Sequence, residues 1–249
     1  MKKLVLIFLA IPFAVSVNAQ KGILGQVNKA LGKDSTKLQS VTSKNLGGSS
    51  LSNEEIIKGL KEALSIGTDS STKKLSRVDG FFTDAAIKIL MPEEAKKAEK
   101  TLRSFGMSAL VDNAILSMNR AAEDAASGVS TIFLDAIKQM SLSDGLSILR
   151  GGDFAATEFL KKNTTATLTE KMRPVIEASL NKVNATQYWK DVFTAYNKFS
   201  RQQINTDLTG YVTGKAMDGI FHEIGLEEQR IRKDPAAQVT DLLKKVFSN

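Results

Sequence analysis

The sequence contains no cysteine and a single histidine, and these two scarcities exclude several kinds of site. Without thiols the chain cannot form disulfides, cysteine nucleophiles, thiolate zinc sites or iron–sulfur clusters. His222 alone cannot supply a two-histidine metal site, and no GxSxG motif accompanies it to present a serine nucleophile. We therefore expect no metal, no cofactor and no histidine-based triad, and a fold that depends on its apolar core.

Prolines are few and strand-like alternation is nearly absent, which favours helices throughout. Apolar spacing and capping residues predict a first helix from about 53 into the 60s or 70s, followed by helices over Pro92 to Gly106, 108–126 and 129–140. Ser143 is predicted to cap a short helix that reaches Arg150, and another helix starts at Asp153. The remaining predicted helices cover 167–182, disturbed by Pro174, then 186–199, 207–232 and a last one after Pro235. No period of 20–50 residues repeats, which argues against a solenoid. We predict an all-α, single-domain bundle of about eight to ten short and medium helices over residues 51–249.

The first residues have the pattern of an export signal. Two lysines precede an apolar run over 4–15, and Val17-Asn18-Ala19 follows with small residues where a signal peptidase needs them. The run is shorter than the roughly 20 residues of a membrane-spanning helix. We expect a signal peptide over 1–19, cleaved after Ala19, then a flexible segment over 20–50 rich in Gly, Ser, Thr and Lys. The expected location is periplasmic or secreted.

The formal net charge of +7 is spread through mixed-sign clusters such as KKLSR and EEAKKAEK. This pattern is typical of a solvated surface, although a basic balance also suggests weak contact with an anionic membrane surface. The aromatic residues Tyr188, Trp189, Phe193 and Tyr196 share a helix face, which favours core packing over a base-stacking platform. We expect no nucleic-acid partner.

Residues 149–158, LRGGDFAATE, could be read as a phosphate-binding glycine loop. Such a loop needs a strand before it, whereas the preceding residues have a helical pattern. The sequence instead predicts that Gly151 or Gly152 takes the left-handed position that ends one helix. Asp153 would then cap the next helix by accepting from the N–H of Ala155 or Ala156.

A second group of polar residues lies in the stretch MNRAAEDA, residues 118–125, on a predicted helix. Helical spacing predicts an intrahelical ion pair between Arg120 and Asp124. The alternative is a hard-cation site that collects oxygen ligands from Glu123, Asp124 and Asp153. Adjacent residues diverge by about 100° around a helix, so the spacing favours the ion pair.

These motifs together resemble the family called domain of unknown function 4197. The matching stretches are GLKEAL (59–64), VDGFF (78–82), MNRAAEDA (118–125), ILRGGDFAAT (148–157), TLTEKMRPVI (167–176), DLTGYVTGKAMDGIF (207–221) and EEQRIRKDPAAQVTDLLKKVF (227–247). The resemblance covers the chain from Leu51 onward and implies export without implying a reaction. It concentrates on polar and glycine positions, which either form an interhelical polar network or line a ligand pocket. The candidate site residues are Asn119, Arg120, Glu123, Arg150 and Asp153.

Two functions remain open from the sequence. The first is a non-enzymatic binding module for an unidentified ligand or envelope partner. The second is a hydrolase or lyase for an anionic envelope substrate, with Glu123 and Asp153 as the acid–base pair and Arg120 or Arg150 holding the substrate. That chemistry needs one carboxyl group with a raised pKa in an open cleft, whereas helix caps and closed ion pairs would favour a binding module.

Overall fold

The structure is a computed structural model, and it describes residues 52–182, 184–187, 189, 190, 193, 207–238, 240, 241, 244 and 246. The predicted signal peptide and the lead-in segment lie outside these residues, as do most of the predicted helices over 186–199 and after Pro235. The chain from Leu51 to Asn249 is one compact unit.

Seven α-helices have described bounds: α1 Asn53–Leu75, α2 Lys96–Ser104, α3 Ser108–Ala126, α4 Ser130–Gln139, α5 Leu142–Arg150, α6 Ala155–Lys182 and α7 Leu208–Lys233. Two short 3₁₀ helices are also present among the described residues. One, Glu93–Ala95, directly precedes α2, and the other, Pro235–Ala237, comes after α7. The described residues contain no β-strand, so the all-α prediction is confirmed. In the same part of the chain, no helix combines the length and the apolar character that a membrane span requires.

The ends of α1, α2 and α5 follow local capping chemistry, but the predicted N-cap of α5 is wrong. Ser52 and Glu55 form the expected capping box at the start of α1, and Gly106, at φ 77°, ends the α2 region in the left-handed conformation. The cap of α5 is Ser141 rather than Ser143. Ser141 is followed three residues later by Asp144, whose carboxylate bonds back to the Ser141 N–H at 3.0 Å, and Ser143 has no such partner position.

The prediction of two helices between Asp153 and Lys182 is wrong, because α6 runs unbroken through Pro174. The proline lacks the N–H that would bond to the carbonyl four residues before it, and its ring crowds that carbonyl. Leu160, Leu168, Met172 and Ile176, which form one buried stripe, continue past the proline on the same face. Tertiary packing of this stripe therefore keeps the helix continuous where local propensity would end it.

The core lies between α6 and α7, with α3 packed against both helices and α1 packed against α7 and α4. Phe133 and Phe221 meet edge-to-face within it, with ring centroids 6.0 Å apart. The connector over 76–92 crosses from α1 to α2 and buries Phe81 and Ile89. The connector forms no helix or strand, so it lacks a regular series of backbone hydrogen bonds. Its backbone N–H and C=O groups therefore need partners from the helices.

Candidate functional site

Asn119 anchors the connector to α3. Its Oδ1 accepts from the Ile89 N–H at 2.9 Å, and its Nδ2 donates to the carbonyl oxygens of Ile89 at 2.8 Å and Ile115 at 2.7 Å. The residue is 0 % exposed. One buried amide thus satisfies both backbone groups of Ile89, as a neighbouring strand would.

Glu123, one turn along α3, holds the other end of the connector. Its Oε1 accepts from the N–H groups of Phe81 at 3.1 Å and Phe82 at 3.3 Å, and its Oε2 accepts from Arg120 Nη1 at 2.6 Å. Arg120 Nη2 donates to Asp79 Oδ1 at 2.7 Å. These bonds, that with Glu123 above all, raise the pKa of Arg120 above its ordinary value.

The predicted pair between Arg120 and Asp124 does not form. Arg120 turns to Glu123 because that carboxylate is buried and needs a cation, whereas Asp124 accepts from the Ser179 hydroxyl at 2.5 Å. The candidate cation ligands Glu123 and Asp124 therefore have different partners. Among the described residues, no group of three or more acidic or histidine side chains is arranged to hold a metal ion.

The bend between α5 and α6 carries the other two candidates, Arg150 and Asp153, both exposed. Asp153 forms an ion pair with Lys233 and accepts from Gln229 Nε2 at 3.3 Å. The hydrogen bond from Lys233 lowers the pKa of Asp153. Arg150 has no ion-pair partner within the described part of the chain.

The predicted left-handed glycine and the predicted cap by Asp153 are both wrong, although Gly151 does stand at the C-terminal cap position of α5. Gly151 has φ −77°, an extended conformation, and Gly106 is the only described glycine with positive φ. Gly151 is instead needed for space, because a Cβ there would lie 2.4 Å from the Ala155 Cβ. Asp153 does not cap α6, since it turns outward to α7 and leaves the first N–H groups of α6 to another residue.

That residue is Glu228 on α7, for which the sequence predicted no role. Its carboxylate accepts from the N–H of Ala156 at 2.9 Å, and from the N–H and hydroxyl of Thr157 at 2.8 and 2.7 Å. Arg232 neutralises it at 2.8 Å and also donates to the Ile148 carbonyl, at the end of α5, at 2.9 Å. One buried ion pair thus satisfies the end of α5 and the start of α6.

The five candidate residues therefore lie in two groups. Asn119, Arg120 and Glu123 meet on α3 and hold the connector, while Arg150 and Asp153 lie at the α5–α6 bend. No hydrogen bond or ion pair links the two groups within the residues that the structure describes. Among the five, Arg120 also lines a pocket.

This pocket, here called the α3 pocket, lies between α2, α3, the end of α6 and the start of α7, and has a volume of about 660 Å³. The volume is within the usual range of small-molecule sites, about 300–1,000 Å³. Most of its lining is apolar and includes Leu102, Val111, Met118, Trp189, Phe193 and Leu208. Trp189 and Phe193 are buried with ring centroids 4.4 Å apart, so the prediction that they pack in the core is confirmed, while Tyr188 and Tyr196 lie outside the described residues.

The polar side chains of the α3 pocket are few and include Arg120, Asp124, Ser179 and Lys182. An arginine has five N–H donors, and Arg120 uses two of them on Glu123 and Asp79. Lys182 makes no ion pair with the described residues. An apolar lining with a small convergent set of polar groups is the usual composition of a ligand site.

A second pocket of about 850 Å³ lies between the connector and α7 and shares Met91 and Trp189 with the first. Its charged lining is of mixed sign and largely paired. Lys96 pairs with Glu93 at 2.7 Å and Lys215 with Asp218 at 3.2 Å, and both pairs are exposed. Exposed pairs of this kind contribute little energy and present no net charge, so this pocket has no clear ligand preference.

Comparison with known proteins places the chain in a family. No curated protein and no solved structure matches it. The family described as protein of unknown function (DUF4197) matches residues 50–248, which include every described helix. The chain therefore belongs to the DUF4197 family.

Proposed function

We propose that the protein is a non-enzymatic binding module that takes an apolar ligand, or the apolar part of one, into the α3 pocket. The observation that carries the proposal is the pocket itself, about 660 Å³ of mostly apolar lining with a few polar groups. The family assignment is compatible with this function and does not specify a ligand.

The alternative, a hydrolase or lyase based on Glu123 and Asp153, gains no support from the geometry. General acid–base catalysis needs a carboxyl group with a raised pKa that can reach the substrate. Glu123 is buried, and both of its oxygens are occupied by N–H donors. The pKa of Asp153 is lowered by Lys233, which is the opposite of what a general acid requires.

The proposed location is the periplasm or the exterior of the cell, on the strength of the signal pattern over residues 1–19. Mass spectrometry of the N-terminus of the exported protein tests this. We expect the chain to begin at Gln20. A full-length chain that begins at Met1 and remains inside the cell would refute the proposed location.

A second candidate function is weak contact with a membrane surface, and exposed apolar residues beside the pocket favour it. Phe105 and Met107, in the turn between α2 and α3, are 75 % and 48 % exposed, next to Leu110 of the pocket lining. Flotation with phosphatidylglycerol vesicles at low salt tests the contact. We expect Phe105→Ser to reduce retention and the matched change Leu142→Ser, at another exposed leucine, to leave it unchanged.

The pocket is tested with the chain's one tryptophan, because Trp189 lines it. Titration with Nile red, a neutral apolar dye, should change the Trp189 fluorescence saturably at one site per chain. Ser117→Phe, at a lining residue, should obstruct part of the pocket and weaken dye binding, whereas Ser143→Phe, on the exposed surface of α5, should not. A dye affinity unchanged by Ser117→Phe would refute the pocket as the binding site.

A further inference from the structure

We infer that the ligand of the α3 pocket is an anionic amphiphile, with its apolar chain in the pocket and its carboxylate or phosphate head between Arg120 and Lys182. This inference rests on the proposed function and specifies the class of ligand. Its basis is the positive charge and the unused hydrogen-bond donors that described polar residues bring to an otherwise apolar lining.

Arg120 is held in place before any ligand arrives. Its bonds of 2.6 Å to Glu123 and 2.7 Å to Asp79 fix the guanidinium plane from two sides, and its Cζ lies 5.9 Å from the centroid of the Phe82 ring. Two of the five N–H donors are used, which leaves three without an acceptor in the described part of the chain. A guanidinium with a fixed orientation and spare donors suits a planar carboxylate or a phosphate.

Lys182, at the end of α6, adds a second cation to the same lining. It has no acidic partner among the described residues, so its charge is available to a ligand. Among the described residues, Asp124 is the one carboxylate that lines the pocket, and its Oδ2 accepts from the Ser179 hydroxyl at 2.5 Å. The described part of the lining therefore carries two cations, Arg120 and Lys182, against one carboxylate.

The remaining polar side chains of the described lining, those of Asn113 and Ser117, are neutral. An ammonium head would face two cations, and an uncharged head would leave the donors of Arg120 without a charged acceptor. An anion is the head group that both Lys182 and Arg120 favour. The apolar lining, which includes Leu102 and Trp189, requires that this anion carry a hydrocarbon part.

The test compares three probes with the same twelve-carbon chain, namely dodecanoate, dodecanol and dodecylammonium, each as a monomer at slightly alkaline pH. Binding to the full protein is followed by Trp189 fluorescence and calorimetry. We expect dodecanoate to bind about tenfold more tightly than dodecanol, and dodecylammonium to bind more weakly than dodecanol. The preference for dodecanoate should fall as salt is added.

Variants assign the effect to the two cations. Lys182→Gln should weaken dodecanoate binding about threefold and leave dodecanol binding unchanged, while Lys171→Gln, at an exposed lysine elsewhere on α6, should alter neither. Arg120→Lys keeps a charge beside Glu123 and removes the bidentate fork, so it should reduce the dodecanoate preference. If dodecanol binds as tightly as dodecanoate and Lys182→Gln has no effect, the anionic-head inference is overturned while the binding function stands. If none of the three probes binds, the proposed function fails with it.

Discussion

Replacing Asn119 with leucine tests whether the polar residues shared with the family are architectural. The leucine has nearly the same size and cannot bond to the connector. It would leave the N–H and the C=O of Ile89 without their partners, in a place where Ile89 is 1 % exposed. The third bond, to the Ile115 carbonyl, matters less because that oxygen lies within helix α3.

The expected magnitude follows from these two groups. Each orphaned buried backbone group costs about 1–3 kcal/mol, which gives a loss of about 2–6 kcal/mol for the pair. Burial of the leucine side chain offsets about 1–2 kcal/mol of that loss. We therefore expect Asn119→Leu to lower the free energy of unfolding by about 3 kcal/mol, a large share of the stability of an ordinary domain.

Urea denaturation followed by far-UV circular dichroism measures this loss. The matched control is Asn163→Leu on α6, because the Asn163 amide is exposed and bonds only within its own helix, to the Phe159 carbonyl at 2.7 Å. The control should change stability by no more than about 0.5 kcal/mol. An Asn119→Leu protein as stable as the control would refute the reasoning. If it kept full stability and lost ligand binding, Asn119 would be a site residue instead.

Three further predictions concern the α5–α6 bend, α7 and the response to acid. Glu228→Leu should destabilise the protein by about 3–5 kcal/mol, because it leaves two backbone N–H donors and the Arg232 guanidinium without their partner. Asp153→Asn, at the exposed pair with Lys233, should cost under about 1 kcal/mol. Equal losses in urea denaturation would refute Glu228 as the cap. Gly219→Ala should cost about 1–3 kcal/mol, since its Cβ would lie 2.5 Å from a ring carbon of Phe81. Gly214→Ala, which faces open space on the same helix, should stabilise the protein by about 0.5–1 kcal/mol. Thermal melts in which Gly219→Ala is the more stable of the two would contradict this packing. In the folded protein the pKa of Asp144 is lowered from 3.8 by the Ser141 hydroxyl, and that of Asp153 is lowered by Lys233. Their contribution to stability is therefore present above pH 3.8 and is lost as the pH falls through the folded-state pKa values. Asp144→Asn should make the free energy of unfolding fall less steeply in acid, and an unchanged dependence on pH would exclude this carboxylate as a cause.

The helices could largely be predicted because their signals are local. The periodicity of α3 gave its bounds as 108–126, as observed, and the capping box at Ser52 and the glycine at 106 placed two further helix ends. The failures occurred where a distant residue decides. The sequence predicted a separate helix over 167–182, disturbed by Pro174, but the packing of the buried stripe keeps α6 continuous.

The cap of α6 could not be predicted for the same reason. Asp153 has the right type and position for an N-cap, whereas Glu228 lies 72 residues from the first N–H that it accepts. Nothing in the local sequence tells which helix end a buried glutamate meets. The glycine at 151 misled in a similar way, because it serves close packing against Ala155 rather than a positive φ.

The candidate site was recovered only in part by sequence. Polar residues on α3 were identified, and the structure gives Asn119 and Glu123 bonds to the connector and places Arg120 both in that network and in the α3 pocket. The pocket itself has no sequence signature, because its lining comes from several segments that are separate in the sequence, and its apolar residues have the pattern of ordinary core residues. Lys182 likewise reads as a common basic residue at a helix C-terminus.

The central claim is that the polar residues on α3 and at the α5–α6 bend hold the fold while the ligand binds in the pocket beside them. A crystal structure of the protein with ω-bromododecanoate tests it most directly, because anomalous scattering locates the bromine without ambiguity. We expect a bromine peak inside the α3 pocket near Trp189, with the carboxylate beside Arg120 and Lys182. A bromine peak at the α5–α6 bend, beside Arg150 and Asp153, with the pocket unoccupied, would contradict it.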